Sequence, residues 1–160
     1  MAGFTLLEVI FTIVLLGVMT KFAMMKLVSP AALTLPAQAQ SVADVIRRAQ
    51  TLAVVRGQKV RVSVAANGPD FLVQVAPCNS AGTCTIDSSL TLLADRGVMW
   101  CTTPTVYFNS LGEPVTSAAP AASAATSSTT FPMAYRASCP ATAALTVTVV
   151  PLTGRVSVGP

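Results

Sequence analysis

Hydrophobic residues fill the chain from Phe4 to Val28 with only three charged interruptions, at Glu8, Lys21 and Lys26. A helix rises about 1.5 Å per residue, so roughly 20 apolar residues cross the hydrocarbon core of a bilayer. The pattern therefore predicts a membrane-spanning helix over this segment. A cleaved secretory signal peptide is the alternative, but no basic residue precedes the apolar run.

The next segment, from Ala37 to Arg56, repeats its apolar residues at the spacing of one helix face. The repeating positions are Val42, Val45, Ile46, Ala49, Leu52 and Ala53. Gly57 follows as a typical C-terminal stop, and Pro30 and Pro36 predict a local break. We therefore expect one long discontinuous helix, with residues 29–57 as its amphipathic second half.

Beyond Gly57 the hydrophobic period changes to two. Valines at 60, 62 and 64 alternate with polar residues, the turn sequence Asn67-Gly68-Pro69-Asp70 follows, and the alternation resumes at Phe71. This pattern predicts a β-hairpin. Similar runs predict strands at residues 91–94, 98–101, 105–109, 145–150 and 155–158.

The fold class that these patterns predict is α+β. A long N-terminal helix, membrane-spanning over residues 4–28, would pack on an antiparallel, all-β domain over residues 58–160. Residues 114–130 carry almost no large side chain and predict a long exposed loop. This Ser/Thr-rich loop is either bare or glycosylated.

Composition argues for a structural role. Of the 160 residues, 52% are hydrophobic and only 10% are charged, which excludes disorder as the dominant state. The chain has no His, the commonest general base and catalytic metal ligand. Its acidic residues form no metal-ligand run, and no Gly-rich phosphate loop is present. We expect no enzymatic activity, no catalytic residue, no metal site and no cofactor.

The four cysteines, Cys78, Cys84, Cys101 and Cys139, include no CxxC pair. An even set of this kind predicts disulfides in an oxidising compartment. Four unrelated thiols in a cytoplasmic protein are the alternative. The short spacing favours Cys78 with Cys84, which leaves Cys101 with Cys139, although other pairings are possible.

The start of the chain reads Gly3-Phe4-Thr5-Leu6-Leu7-Glu8 and continues into an apolar helix. This motif resembles the processing site and N-terminal helix of type IV pilins and type II secretion pseudopilins. The resemblance implies that prepilin peptidase cuts after Gly3, so that residues 1–3 are a leader remnant, and methylates the amino group of Phe4. It also implies that Glu8 meets this amine, in its own chain or in a neighbour, when subunits assemble as a filament.

The rest of the chain resembles the H-type pseudopilins and the FimT/FimU minor pilins. The resemblance rests on the segment RRAQTLAVVRGQKVRVSV, on Tyr107-Phe108 leading to Gly112, and on Thr153-Gly154-Arg155-Val156. It implies a non-catalytic minor pilin or pseudopilin that helps to initiate or cap a type IV pilus or a type II secretion pseudopilus. A major pilin is an alternative.

The implied partners are other pilins, through the N-terminal helix, and prepilin peptidase. The implied location is the inner membrane, as a single-pass protein with a periplasmic domain, and then a cell-surface pilus or a periplasmic pseudopilus.

Basic residues raise a second possibility. Those near the helix end and first strand are Arg47, Arg48, Arg56, Lys59 and Arg61. Such a cluster could neutralise the phosphates of DNA. Some FimT-like pilins are thought to bind DNA through a C-terminal Gly-Arg-x-Arg, whereas this chain has Gly154-Arg155-Val156-Ser157. DNA uptake is therefore an alternative function that the sequence does not favour.

Overall fold

The computed structural model describes residues 5–27, 30–67, 70–93, 97–135 and 145–160. The chain divides into two compact units, one up to Leu33 and one from Thr34 to Pro160. Helix α1, Leu6–Leu27, lies in the first unit. Most of helix α2, Pro30–Arg56, and all the described strands lie in the second.

The predicted long helix is not present. The helical segment consists of α1, with 22 residues, and α2, with 27. Of the helices in the described residues, none combines the length and the apolar content that crossing a membrane requires. The predicted fold class, which placed a membrane-spanning half at residues 4–28 of one long helix, is therefore wrong. The inner-membrane, single-pass localisation that followed from it is wrong as well.

Charge placement is the physical reason for this correction. Between Glu8 and Lys21, the uncharged stretch Val9–Thr20 is about 18 Å long at about 1.5 Å per residue. A bilayer core is about 30 Å thick. The prediction counted the whole apolar run and gave too little weight to the charges that divide it.

Helix α2 begins at Pro30, where the fixed φ of proline suits the first position of a helix. It continues through Pro36, so neither proline breaks it. The helix ends at Arg56. Gly57 follows with a left-handed φ of 60°, and the Gln58 amide donates to the Ala53 carbonyl at 3.2 Å. This six-to-one bond is the Schellman end that a glycine permits.

Nine strands form two antiparallel sheets in the described residues. The first sheet has the order β3-β2-β1-β5-β6 and the second the order β4-β7-β8-β9. Their bounds are β1 Val60–Asn67, β2 Asp70–Pro77, β3 Leu92–Leu93, β4 Val98–Trp100, β5 Thr105–Phe108, β6 Pro114–Val115, β7 Thr129–Tyr135, β8 Leu145–Val149 and β9 Val156–Gly159.

One hydrophobic core joins α2 to both sheets. The predicted hairpin is present as β1 and β2, with Val62 paired to Val75, and both side chains are fully buried. The apolar stripe of α2 is buried with them. From the second sheet, Trp100 and Phe131 contribute an edge-to-face pair with ring centroids 6.4 Å apart.

Residues 114–130 contain some paired backbone within a segment that is largely exposed. Pro114 and Val115 form β6 and are buried, and Val115 makes an isolated bridge with Ala124. The Lys59 ammonium donates to the carbonyl of Ala119. The absence of large side chains does not prevent order, because backbone pairing and this lysine contact hold the segment.

Candidate functional site

Glu8 stands in the first turn of α1. The Thr5 carbonyl accepts from the Glu8 amide at 3.0 Å and from the Val9 amide at 3.3 Å, so the helix begins at the predicted motif. A carboxylate in the first turn of a helix is favoured by the helix dipole. In the described part of the chain, no hydrogen bond or ion pair joins the Glu8 carboxylate to another residue. Gly3 and Phe4, the predicted processing residues, lie outside the described residues.

The apolar side chains of α1 from Leu6 to Met19 are uncovered. Leu6 and Leu7 are 79% and 80% exposed, and further hydrophobic side chains around the helix are also exposed. These are Val9, Ile10, Phe11, Ile13, Val14, Leu15, Leu16, Val18 and Met19. A helix that is hydrophobic on all sides is normally buried against other apolar groups.

The threonines of α1 satisfy their own hydroxyl groups. Thr12 donates to the Val9 carbonyl at 2.9 Å, and Thr20 donates to the Leu16 carbonyl. Such back-bonded hydroxyls need no partner outside the helix. Over residues 6–20 of this apolar surface, Glu8 is therefore the polar side chain with no hydrogen-bond or ion-pair partner among the described residues.

The basic residues that could bind DNA make several contacts within the chain. The Arg47 guanidinium pairs with the Asp44 carboxylate at 2.7 Å and donates to the Val156 carbonyl at 3.4 Å. The Lys59 ammonium donates a hydrogen bond to the carbonyl of Ala119. Arg48 lines a groove on α2, with the apolar residues Leu52, Val55 and Leu90.

Arg61 lies away from α2. The side chains on either side of it in β1, Val60 and Val62, are buried in the core with α2, so Arg61 is on the opposite face of the sheet. It is paired across the sheet with Tyr107, and its Nε atom is buried without a hydrogen bond in the described part of the chain. Arg155 is exposed just before β9. Arg61 therefore lies on a different face from α2, whereas Arg47 reaches the Val156 carbonyl, next to Arg155.

Arg56, the last residue of α2, lies near Asp87. The Asp87 carboxylate accepts from the Ser89 hydroxyl at 2.6 Å and from the Ser89 amide at 3.1 Å. These bonds lower the pKa of Asp87, and the positive charge of Arg56 lowers it slightly further. The carboxylate caps the short 3₁₀ helix Ser88–Leu90, so its role here is structural.

Cys78 and Cys84 form a disulfide with an S–S distance of 1.98 Å, the pairing that their short spacing favoured. Cys101 is also disulfide-bonded. Cys139 lies outside the described residues, so the pairing of Cys101 with Cys139 stays a prediction. Within the described ranges, no group of three His, Cys, Asp or Glu side chains could hold a metal ion.

Two turns beside α2 form a surface that the sequence did not reveal. The Gln50 amide nitrogen donates to the Gly112 carbonyl at 2.8 Å and to the Thr153 carbonyl at 3.4 Å. The nearby leucines, Leu111 and Leu152, are exposed. The turn glycines were visible in the sequence, but the contact between the two turns depends on the sheet topology.

Comparisons with protein-family models, with curated proteins and with solved structures found no match.

Proposed function

We propose that this chain is a non-catalytic filament subunit, a minor pilin or pseudopilin, and that α1 is the segment through which it packs on neighbouring subunits. The observation that carries the proposal is the surface of α1, which combines uncovered apolar side chains with one carboxylate that has no partner in the described residues. The motif Gly3 to Glu8 supports it from the sequence side.

Burial of this surface supplies the driving force for assembly. A leucine that passes from exposed to fully buried contributes about 1.5–3 kcal/mol. Leu6, Leu7 and Leu16 are among the side chains that helices of neighbouring subunits would cover. Such contacts are apolar and non-directional, so they favour association without fixing the register of one helix on the next.

Glu8 would fix that register. A carboxylate buried without a partner costs several kcal/mol, whereas one that meets an ammonium group is compensated. Cleavage after Gly3 by prepilin peptidase would expose such an ammonium at Phe4. Subunits that align the two charges are then favoured over those that do not.

The β-rich unit would give the subunit its specificity for neighbouring subunits. This role suits a minor subunit that initiates or caps a filament, although a major pilin would use the same helix. The filament belongs either to a type IV pilus or to a type II secretion pseudopilus. The abundance of the chain in sheared filaments separates a minor from a major subunit.

The experiment that tests this proposal measures incorporation into filaments. Glu8→Ala should reduce incorporation at least about tenfold, because the ammonium of the neighbour loses its partner. Thr12→Ala is the matched control, since it removes only a bond internal to α1 and should incorporate normally. Fluorescence of Trp100, in the core of the second unit, reports whether both variants fold.

Normal incorporation of Glu8→Ala would contradict the proposal. So would mature protein that retains residues 1–3 in the presence of prepilin peptidase, because the proposed partner of Glu8 would not exist.

DNA uptake is less well supported. Lys59 is engaged by the segment that contains Ala119, Arg61 lies on another face, and Ser157 replaces the second arginine of the FimT-type motif. We expect only weak, non-specific binding in a titration of the chain with double-stranded DNA at physiological salt. Micromolar binding that Arg155→Ala abolishes would instead make DNA capture the primary function.

A further inference from the structure

The turns that connect β5 to β6 and β8 to β9 meet beside α2. A Cβ atom placed on Gly154 would lie 2.8 Å from the carbonyl oxygen of Gly112, so the two backbones are in close contact. Gln50 donates to both turns from the helix. The two tips therefore keep a fixed position relative to each other and to α2.

Hydrogen bonds within the first turn hold its shape. The Asn109 side-chain oxygen accepts from the amides of Leu111 and Glu113, each at 2.9 Å. The Asn109 side-chain nitrogen donates to the Glu113 carboxylate at 2.9 Å. The Leu111 side chain is nevertheless 75% exposed, and Glu113 beside it is also exposed.

The second turn is equally constrained. The Gly154 amide donates to the Val150 carbonyl at 3.0 Å, and the Arg155 amide donates to the Thr153 hydroxyl at 3.3 Å. Leu152 has a φ of 65°, a left-handed conformation that is unfavourable for a bulky residue and costs on the order of 1–3 kcal/mol. Its side chain is 63% exposed, so the cost is not offset by burial within the chain.

These tips, with Val54 of α2, form a surface that we call the two-turn patch: Val54, Leu111 and Leu152. Val54 is 50% exposed, and a Cβ on Gly112 would lie 3.0 Å from its Cγ2 atom. The patch carries opposite charges at its two tips. Glu113 lies on the tip with Leu111, Arg155 lies on the tip with Leu152, and no ion pair engages either within the described residues.

We propose that two copies of this chain associate through the two-turn patch about a twofold axis. The tip with Leu111 and Glu113 of one copy would meet the tip with Leu152 and Arg155 of the other. A twofold interface uses the same surface on both subunits and brings each contact twice. The opposite charges of the two tips make this surface complementary to itself, which is why the occupant is a second copy.

The association is weak by itself. A stable interface buries about 800 Å² on each partner, and three apolar side chains supply only part of that area. Because so small an interface binds weakly, we expect dimers at protein concentrations of about 0.1–1 mM. The contact does not involve α1 and does not rest on the proposed filament role.

Charge exchange tests this proposal. The full chain is studied by sedimentation in a mild detergent that covers the apolar side chains of α1. Arg155→Glu and Glu113→Arg should each raise the dissociation constant at least about tenfold, because like charges would face each other twice. The double variant, and an equimolar mixture of the two single variants, should regain dimerisation because opposite charges face each other again.

Arg48→Glu is the control, since Arg48 is a basic residue of α2 outside the patch, and it should dimerise like the unchanged chain. Leu152→Ser should also weaken dimerisation, and Trp100 fluorescence should show that every variant is folded. A chain that stays monomeric at 1 mM (on the order of the upper limit expected) would overturn the proposal. So would single variants with unchanged dissociation constants, or a double variant as weak as the single ones.

Discussion

The two helices of this chain use apolar side chains in opposite ways. In α2, the residues that face the sheets are buried, and Ile46 at the centre of the stripe is fully buried. In α1, Ile10 is 55% exposed, and hydrophobic residues occupy every side of the helix. The contrast separates a helix that belongs to the core of its own unit from one whose apolar side chains are exposed over residues 6–19.

Side-chain size contributes to this difference. The stripe of α2 contains Ala39, Ala43, Ala49 and Ala53, all buried, which allow the helix backbone to approach the sheets closely. The apolar residues of α1 are mostly large, and in the proposed filament they would pack between the helices of neighbouring subunits. Under the proposed function, the chain would divide folding and assembly between two consecutive helices.

A matched pair of isoleucine substitutions, one in each helix, should give the largest difference between α1 and α2. Ile46→Ala should lower the free energy of unfolding of the second unit by about 2–5 kcal/mol, because it leaves a cavity in the core. Ile10→Ala should change that free energy by less than about 0.5 kcal/mol, as expected for an exposed site. Urea unfolding followed by the fluorescence of the single tryptophan, Trp100, measures both. Equal effects would mean that α1 also belongs to a core.

Substitutions at two glycines, one in the second unit and one in α1, test the same contrast at the backbone. Gly154→Ala should destabilise the second unit by about 1–3 kcal/mol, because its φ of 65° is left-handed and a Cβ would lie 2.8 Å from the Gly112 carbonyl oxygen. Gly17→Ala should stabilise α1 by up to about 1 kcal/mol, since nothing lies within 4 Å of its Cβ position.

Urea unfolding measures the Gly154→Ala effect, and circular dichroism during heating measures the helix content of the Gly17→Ala chain. A loss of helix content in Gly17→Ala would contradict this prediction. It would mean that another group already lies close to Gly17 in the unassembled chain.

The smallest expected effect is on the acid dependence of stability, and it comes from a carboxylate. Asp87 has partners within the chain, whereas Glu8 has none in the described residues. The Ser89 hydroxyl and amide hold the pKa of Asp87 below its ordinary value of 3.8, with a smaller contribution from Arg56. A folded pKa below the unfolded one stabilises the fold at higher pH, and this stability is lost as the pH falls from about 4 through the folded pKa. Asp87→Asn should therefore weaken the loss of stability in acid, as measured by thermal unfolding between about pH 2 and pH 6.

Ser89→Ala, which removes only the hydroxyl donor, should have an intermediate acid dependence. An acid dependence identical in all three chains would contradict the role of Asp87.

Local hydrophobic periodicity predicted the strands and the helix that bury one face. The alternating valines of β1 and β2 and the apolar stripe of α2 lie where the pattern placed them, since one face of each is buried. Strand β7 was missed because Pro132 interrupts it, although Phe131 and Met133 on either side are buried. The membrane assignment failed because hydrophobic length was counted across charged residues.

The two candidate surfaces, that of α1 and the two-turn patch, also differ in how far the sequence could predict them. Glu8 was recognisable from the sequence because a charge within an apolar run has no local explanation. The two-turn patch was not, since Gly112 and Gly154 are 42 residues apart (154 minus 112) and belong to turns of two separate sheets that share one hydrophobic core. Contacts of that kind depend on topology, which residue spacing does not encode.

Accessibility of α1 in the assembled filament tests the central claim most directly. Leu16→Cys, in α1, and Ser127→Cys, in the second unit, are both at exposed positions. The described native cysteines, Cys78, Cys84 and Cys101, are disulfide-bonded and do not compete for a thiol reagent. The measurement is maleimide labelling in filaments, relative to the same chain unfolded in urea without reductant. We predict that Leu16→Cys is protected at least about tenfold, because covering apolar surface drives the assembly, while Ser127→Cys is labelled fully. Equal labelling of the two positions would contradict the claim that α1 is the assembly helix.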